Sequence, residues 1–168
     1  MSPEVKRLVF PFSLLFVLFA NLNCLKSSDS CNPKTPASEA STMNAYCAGN
    51  GITPTAHSSG LFYQVLDPGT GATASTTSKV VITYTGKLLD GTTFDSRSTP
   101  NNAPGEGPDS PWRLSDLIEG WKVGIPLIKE GGHILLVIPS SMAYGCKGYG
   151  AIPGNSILFF DITLVDVQ

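Results

Sequence analysis

The stretch over residues 79–96 sets the narrowest limits on what this chain can fold into. From Lys79 to Leu88 the side chains alternate. Val80, Ile82, Tyr84, Gly86 and Leu88 fall on one face, with Thr83, Thr85 and Lys87 on the other. That period of two specifies a strand with one buried face. Asp90-Gly91 then reads as a tight turn, and Thr93-Phe94-Asp95 as the returning strand. Further strand signals lie at 61–66, closed by Asp67-Pro68-Gly69, and at 134–138, closed by Pro139. The last is at 157–167, where Leu158, Phe160, Ile162 and Leu164 share a face. Against these strands stands one helix signal, over 115–128, with Ser115 or Asp116 as cap and Gly131-Gly132 beyond its end. Gly120, Gly124 and Pro126 make that helix short and weak. Several strands and one short helix predict an α+β fold, a sheet with the helix packed on it. Residues 97–111, rich in Pro, Gly and Asn, read as a loop.

A second apolar block lies outside that pattern. Lys6 and Arg7 precede a mostly apolar run over 8–20, too short to span a bilayer and interrupted by Pro11. It reads as the core of an export signal. Leu22-Asn23-Cys24, followed by polar residues 26–30, resembles a bacterial lipoprotein signal, in which cleavage before the cysteine lets its thiol carry a diacylglycerol. Asn23 stands where a small residue is usual. On this reading 1–23 is a lipoprotein-type signal peptide and Cys24 is lipidated. The mature protein is then membrane-anchored through its lipid and faces the periplasm or the cell surface. Residues 24–56, dominated by Ser, Thr, Asn, Pro and Ala, read as a tether. Within it a short helix is expected over 37–48, with Thr35 as N-cap, Pro36 at its first position and Gly49 or Gly51 at its end. The folded domain would occupy 57–168. An oxidising compartment admits one disulfide among Cys31, Cys47 and Cys146, with one thiol left over and the pairing open.

Charge and motif content exclude several chemistries. With a net charge of −2 there is no basic footprint for nucleic acid. No GxSxG, HExxH or P-loop sequence is present. Residues 69–74 fit a dinucleotide fingerprint loosely, but Ser/Thr-rich chain follows them instead of a helix. His57 and His133 are isolated and no CxxC occurs, so neither metal nor cofactor is expected. Both histidines read as surface or strand-edge residues. What remains is a set of residues beside turns: Tyr84, Phe94, Asp95, Trp112, Ile118, Trp121, Tyr144 and Phe160.

These residues carry a resemblance. Residues 81–96 (VITYTGKLLDGTTFDS) look like the first signature of the FKBP-type peptidyl-prolyl isomerases. Leu117-Ile118-Glu119-Gly120-Trp121 followed by Gly124 is similar to the second. Ile138-Pro139, Ala143-Tyr144-Gly145, Ile152-Pro153 and Leu158-Phe159-Phe160-Asp161 resemble the third. The order agrees over about 61–167. The resemblance implies a twisted antiparallel sheet wrapped around the short helix, with an apolar cleft between them. It makes Trp121 the floor under a proline ring and Tyr84, Phe94, Ile118, Tyr144 and Phe160 the walls. Leu117 and Ile152 would complete the lining, with Trp112 where a Phe is common. Asp95 would be the one buried charge at the rim. Tyr84, Asp95 and Tyr144 would be the catalytic residues: Tyr144 by its hydroxyl and Ile118 by its N–H hold substrate carbonyls, while Asp95 orients the Tyr84 hydroxyl. Implied partners are proline-containing polypeptides and macrolide-type inhibitors. A monomer is expected, since the family's dimeric members use a long helical N-terminal region. The departures are the long 97–111 loop, Gly154 in place of a second proline, and a loop after Tyr144 without histidine.

The reaction suits such a residue set. Amide resonance sets a rotation barrier of roughly 18–20 kcal/mol, and X-Pro bonds exchange isomers over tens to hundreds of seconds. Rotation requires no nucleophile, metal or cofactor. The same cleft also serves a second class of function, a non-catalytic chaperone module that grips unfolded chains. The trio Tyr84, Asp95 and Tyr144 favours catalysis, because gripping alone requires no carboxylate.

Overall fold

The computed structural model describes residues 31–103 and 110–168. The segment read as a signal peptide, Cys24 and the middle of the 97–111 loop therefore lie outside the described residues. Residues Cys31–Gln168 form one compact unit.

Among the described residues seven antiparallel strands make a single sheet: β1 (Thr55–Ala56), β2 (Phe62–Asp67), β3 (Lys79–Leu88), β4 (Thr93–Arg97), β5 (Trp112–Arg113), β6 (His133–Ile138) and β7 (Leu158–Val167). Their order is β1-β2-β6-β7-β3-β4, with β5 also pairing β3. The alternation expected for β3 and β7 is what sorts their side chains, and the continuously apolar β6 is buried on both faces. Val80, Ile82, Ile134, Leu136, Leu158, Phe160, Ile162 and Leu164 are buried in one core, whereas Val137 and Phe159 point into a second. This is the predicted α+β class, an antiparallel sheet curled over a short helix. Among the described residues no helix is long and apolar enough to cross a membrane.

The helix expected over 115–128 is broken into three pieces. A 3-10 turn covers Leu114–Asp116, α2 covers Glu119–Gly124, and a second 3-10 turn covers Ile125–Leu127. The backbone is extended at Leu117 (φ −90°, ψ 171°) and Ile118 (φ −61°, ψ 151°). Ile118, rather than Ser115 or Asp116, is therefore the N-cap of α2. Pro126 has no N–H to continue the α-helical ladder. The two glycines that weaken α2 are the ones that let it approach β6. A Cβ on Gly120 would stand 2.5 Å from Ile138 Cγ2, and one on Gly124 would stand 2.6 Å from Leu136 Cδ1. Replacing either would push the helix, and the Trp121 it carries, off the sheet.

The segment read as a tether is structured instead from Cys31 onward. The helix α1 spans Pro36–Gly49, with Thr35 Oγ1 accepting from the Ser38 N–H at 3.2 Å and Pro36 in the first turn. Met43 and Cys47 are buried against Ile52, Phe62, Val137, Ile157 and Phe159 on the outer face of the sheet. The polar composition that suggested solvated chain belongs to α1's exposed side. Its few apolar residues suffice because β6 and β7 offer apolar groups on both faces. Cys31 pairs with Cys146, their Cα atoms 5.4 Å apart, and Cys47 is the buried free thiol.

Candidate active site

The inner face of β3, the return strand β4 and helix α2 enclose a cleft of about 300 Å³. Tyr84, Phe94, Asp95, Trp112, Leu117, Ile118, Trp121, Tyr144 and Phe160 all line it, together with Asp116, which the sequence offered only as a helix cap and not as a site residue. Trp121 is 4% exposed and forms the base. Its ring meets Tyr84 edge-on at 5.0 Å (78°) and Phe160 at 5.1 Å (81°), while Phe94 meets Phe160 at 5.5 Å (87°). Such edge-to-face pairs favour each other beyond their buried area and fix one another's orientation. Phe160 thus serves the core and the cleft at once. Gly86 explains how two phenyl rings fit over β3. A Cβ there would lie 2.7 Å from both Phe94 and Phe160.

The polar groups sit around this aromatic base. Tyr84 donates its hydroxyl to Asp95 Oδ2 at 2.5 Å, across the β3–β4 pairing that sets Gly86 opposite Asp95. Asp95 is exposed rather than buried, which corrects the expectation of a buried charge. Its place on a two-sided edge strand turns the carboxylate toward solvent while one oxygen reaches back to Tyr84. Arg97 stacks over Trp112 at 5.1 Å. Ile118 offers its carbonyl to the Trp121 N–H at 2.9 Å, and its own N–H precedes the first turn of α2, outside the helix's internal ladder. Tyr144 is half-buried, its ring stacked at 5.2 Å (15°) on Tyr149, which is 70% exposed. Ile152 does not line the main cleft. It lies in an adjoining hollow of about 160 Å³ shared with Phe94, Asp95, Tyr144 and Tyr149.

Burial, the hydrogen bond to Asp95 and the charge of Asp95 together raise the Tyr84 hydroxyl well above its ordinary pKa. Burial and Asp95 raise Tyr144 as well. Both therefore remain protonated donors throughout the physiological range. An unfolded chain would ionise these tyrosines from pH 10.0 upward while the folded one keeps their protons. The folded state then binds more protons, so stability falls as pH rises through that region and is intact below it. We expect the melting temperature to decline above about pH 10 and the decline to be shallower in Tyr84→Phe. An equal slope in the two proteins would contradict the assignment.

Among the described residues no three His, Cys, Asp or Glu side chains are grouped to hold a metal. His133 lies on the central strand β6, not an edge, with Nε2 2.6 Å from Asp161 Oδ1. His57 Nδ1 is 2.9 Å from Ser59 Oγ.

Comparison with known proteins decides the family. The profile of the FKBP-type peptidyl-prolyl cis-trans isomerases matches residues 71–165, more than half of the chain. The chain belongs to this family. It is 43% identical over 111 residues to the FKBP-type peptidyl-prolyl cis-trans isomerase FkpA of Escherichia coli K12, an alignment covering 66% of this chain and 39% of FkpA. The crystal structure of Escherichia coli FkpA superposes with a TM-score of 0.65 at 36% identity, covering 79% of this chain and 61% of that one. A peptidyl-prolyl cis-trans isomerase from Pseudomonas syringae superposes at 0.63 with 28% identity, covering 82% and 98%. The chain thus spans about two fifths of the curated relative's length.

Two polar residues of this FKBP-type chain escaped sequence reasoning. Asn101, fully buried, accepts from the Ile82 N–H at 2.8 Å and donates to the Val80 carbonyl at 3.1 Å, pinning the chain just after β4 to β3. Glu39 of α1, 2% exposed, accepts from the Ser140 N–H at 2.8 Å. An Asn in a Pro/Gly-rich loop and a Glu on a polar helix both read as solvated until the tertiary contacts are known.

Proposed function

We propose that this chain accelerates cis-trans rotation about X-Pro bonds in exported polypeptides and so assists their folding. The observation that supports this most is the meeting of all three sequence motifs at one cleft, with Trp121 at the base and hydroxyl and N–H donors at the rim. A proline ring rests on the indole. The Tyr144 hydroxyl and the Ile118 N–H hold carbonyls on either side of the rotating bond. Tyr84 and Asp95 form a fixed polar pair beside it. Twisting the amide breaks its resonance and reduces its charge separation. A water-poor aromatic cleft therefore favours the twisted form over the planar one, which leaves hydration behind when it enters. Each ~1.4 kcal/mol of that difference is tenfold in rate.

The test is a protease-coupled assay on a short X-Pro peptide. Catalysed turnover, blocked by a macrolide ligand, is the expected result. Suppressed aggregation of unfolded protein without turnover would instead establish the non-catalytic chaperone module.

Export is the second part of the proposal. The charged start and apolar run over 1–20 support it, and the Cys31–Cys146 bond suits an oxidising compartment. Lipidation at Cys24 would anchor the chain as a monomer on the periplasmic or outer face of a membrane. Palmitate should label the wild type and not Cys24→Ala; equal labelling would refute the anchor.

A further inference from the structure

The stretch from Ser140 to Cys146 carries Tyr144 and is gripped at both ends by the same remote segment. At its start, Glu39 of α1 accepts from the Ser140 N–H at 2.8 Å. At its end, Cys146 is bonded to Cys31, 115 residues earlier. A third contact backs the second. Asn155 donates from its backbone to the Gly145 carbonyl at 2.8 Å and from Nδ2 to the Asn32 carbonyl at 3.2 Å. Beyond the short turn Ser140–Met142, no regular element supports Tyr144 before β7 begins at Leu158.

These contacts are not alone in holding α1 in place. Met43 and Cys47 already seat the helix on the outer face of the sheet. Burying the Glu39 carboxylate is costly unless it is hydrogen-bonded, and the N–H it binds lies four residues before Tyr144. We propose that the segment from Cys31 to Glu39 is a clasp that positions Tyr144 in the cleft, with Glu39 and the Cys31–Cys146 bond as the positioning residues. The clasp tightens the placement of a group that acts on the substrate, where an error of about 1 Å can cost on the order of a hundredfold. The inference rests on the assignment of Tyr144 to substrate binding.

The experiment measures kcat and KM on an X-Pro peptide for full-length Cys31→Ser, Glu39→Ala, Glu39→Gln and Tyr144→Phe, and for Tyr144→Phe combined with each of the first two. Cys31→Ser and Glu39→Ala should each lower kcat about three- to tenfold with KM little changed. Glu39→Gln, which keeps an acceptor for the Ser140 N–H, should recover most of the loss. In the Tyr144→Phe background, Cys31→Ser and Glu39→Ala should have almost no further effect, since residues acting as a unit are not additive. Equal fold-losses in both backgrounds would overturn the clasp and leave a merely structural role. An unchanged Tyr144→Phe enzyme would overturn the Tyr144 assignment, and with it the target of the clasp. A reduced Tyr144→Phe enzyme beside unaffected Cys31 and Glu39 variants would overturn the clasp alone.

Discussion

Trp121→Ala should lower kcat/KM for X-Pro isomerisation by well over tenfold while the protein still folds. The indole is nearly buried and touches Tyr84 and Phe160 edge-on. Removing it opens a void beneath those two aromatic rings and deletes the surface on which the proline ring would rest. Truncating a core aromatic costs about 3–5 kcal/mol, and the lower end applies here because one face of the indole borders the cleft. In a domain of this size the melting temperature should fall by roughly 10 °C. Activity is therefore to be compared well below the lower melting point. Trp121→Phe separates the two effects, because it keeps an aromatic base and should retain more activity than alanine does. A kcat/KM within twofold of wild type in Trp121→Ala would remove the indole from the mechanism.

Asp95→Ala carries the second largest expected loss, about tenfold in kcat, with a much smaller change in melting temperature. The carboxylate is itself exposed, so its removal costs the fold little. Its effect passes through Tyr84, whose buried hydroxyl would lose its acceptor at 2.5 Å. Freed of its acceptor, the part-buried phenol can turn its hydroxyl toward water in the cleft, which spares the fold most of the ~1–3 kcal/mol that a fully buried unpaired group costs but loses the hydroxyl's fixed position. Asp95→Asn keeps an acceptor oxygen and should fall between alanine and wild type. If Asp95→Ala is unimpaired while Tyr84→Phe is strongly impaired, Tyr84 acts without its partner and the pairing argument fails.

The elements legible in the sequence were those fixed by a local rule. Alternation placed β3 and β7 and assigned their core faces, because a strand's two faces are decided residue by residue, and the short apolar run ended by Pro139 placed β6. Thr35 and Pro36 marked the start of α1 for the same reason: capping is settled within one turn. What escaped depended on distant groups. The late start of α2 follows from the extended backbone at Leu117 and Ile118, and its close seat on β6 from Gly120 and Gly124, where a Cβ would strike Ile138 or Leu136. The docking of α1 required knowing that Val137 and Phe159 present an apolar face on the far side of the sheet. Three cysteines could not reveal their pairing, since spacing carries no information about which loops meet. The motif residues of the cleft were legible as a set, yet Asp95's exposure and Ile152's place in the neighbouring hollow were not. Both depend on how the edge strand β4 and the loop after Tyr144 turn relative to the cleft.

The central claim concerns the rate of one bond rotation, and magnetisation-exchange NMR on a short X-Pro peptide measures that rate without a coupling protease. Uncatalysed exchange takes tens to hundreds of seconds and gives no exchange peaks between the cis and trans resonances. With a catalytic quantity of wild-type protein, exchange peaks should appear, and Trp121→Ala and Asp95→Ala should weaken them in that order. Resonance shifts that report peptide binding, with exchange no faster than in buffer, would contradict the account.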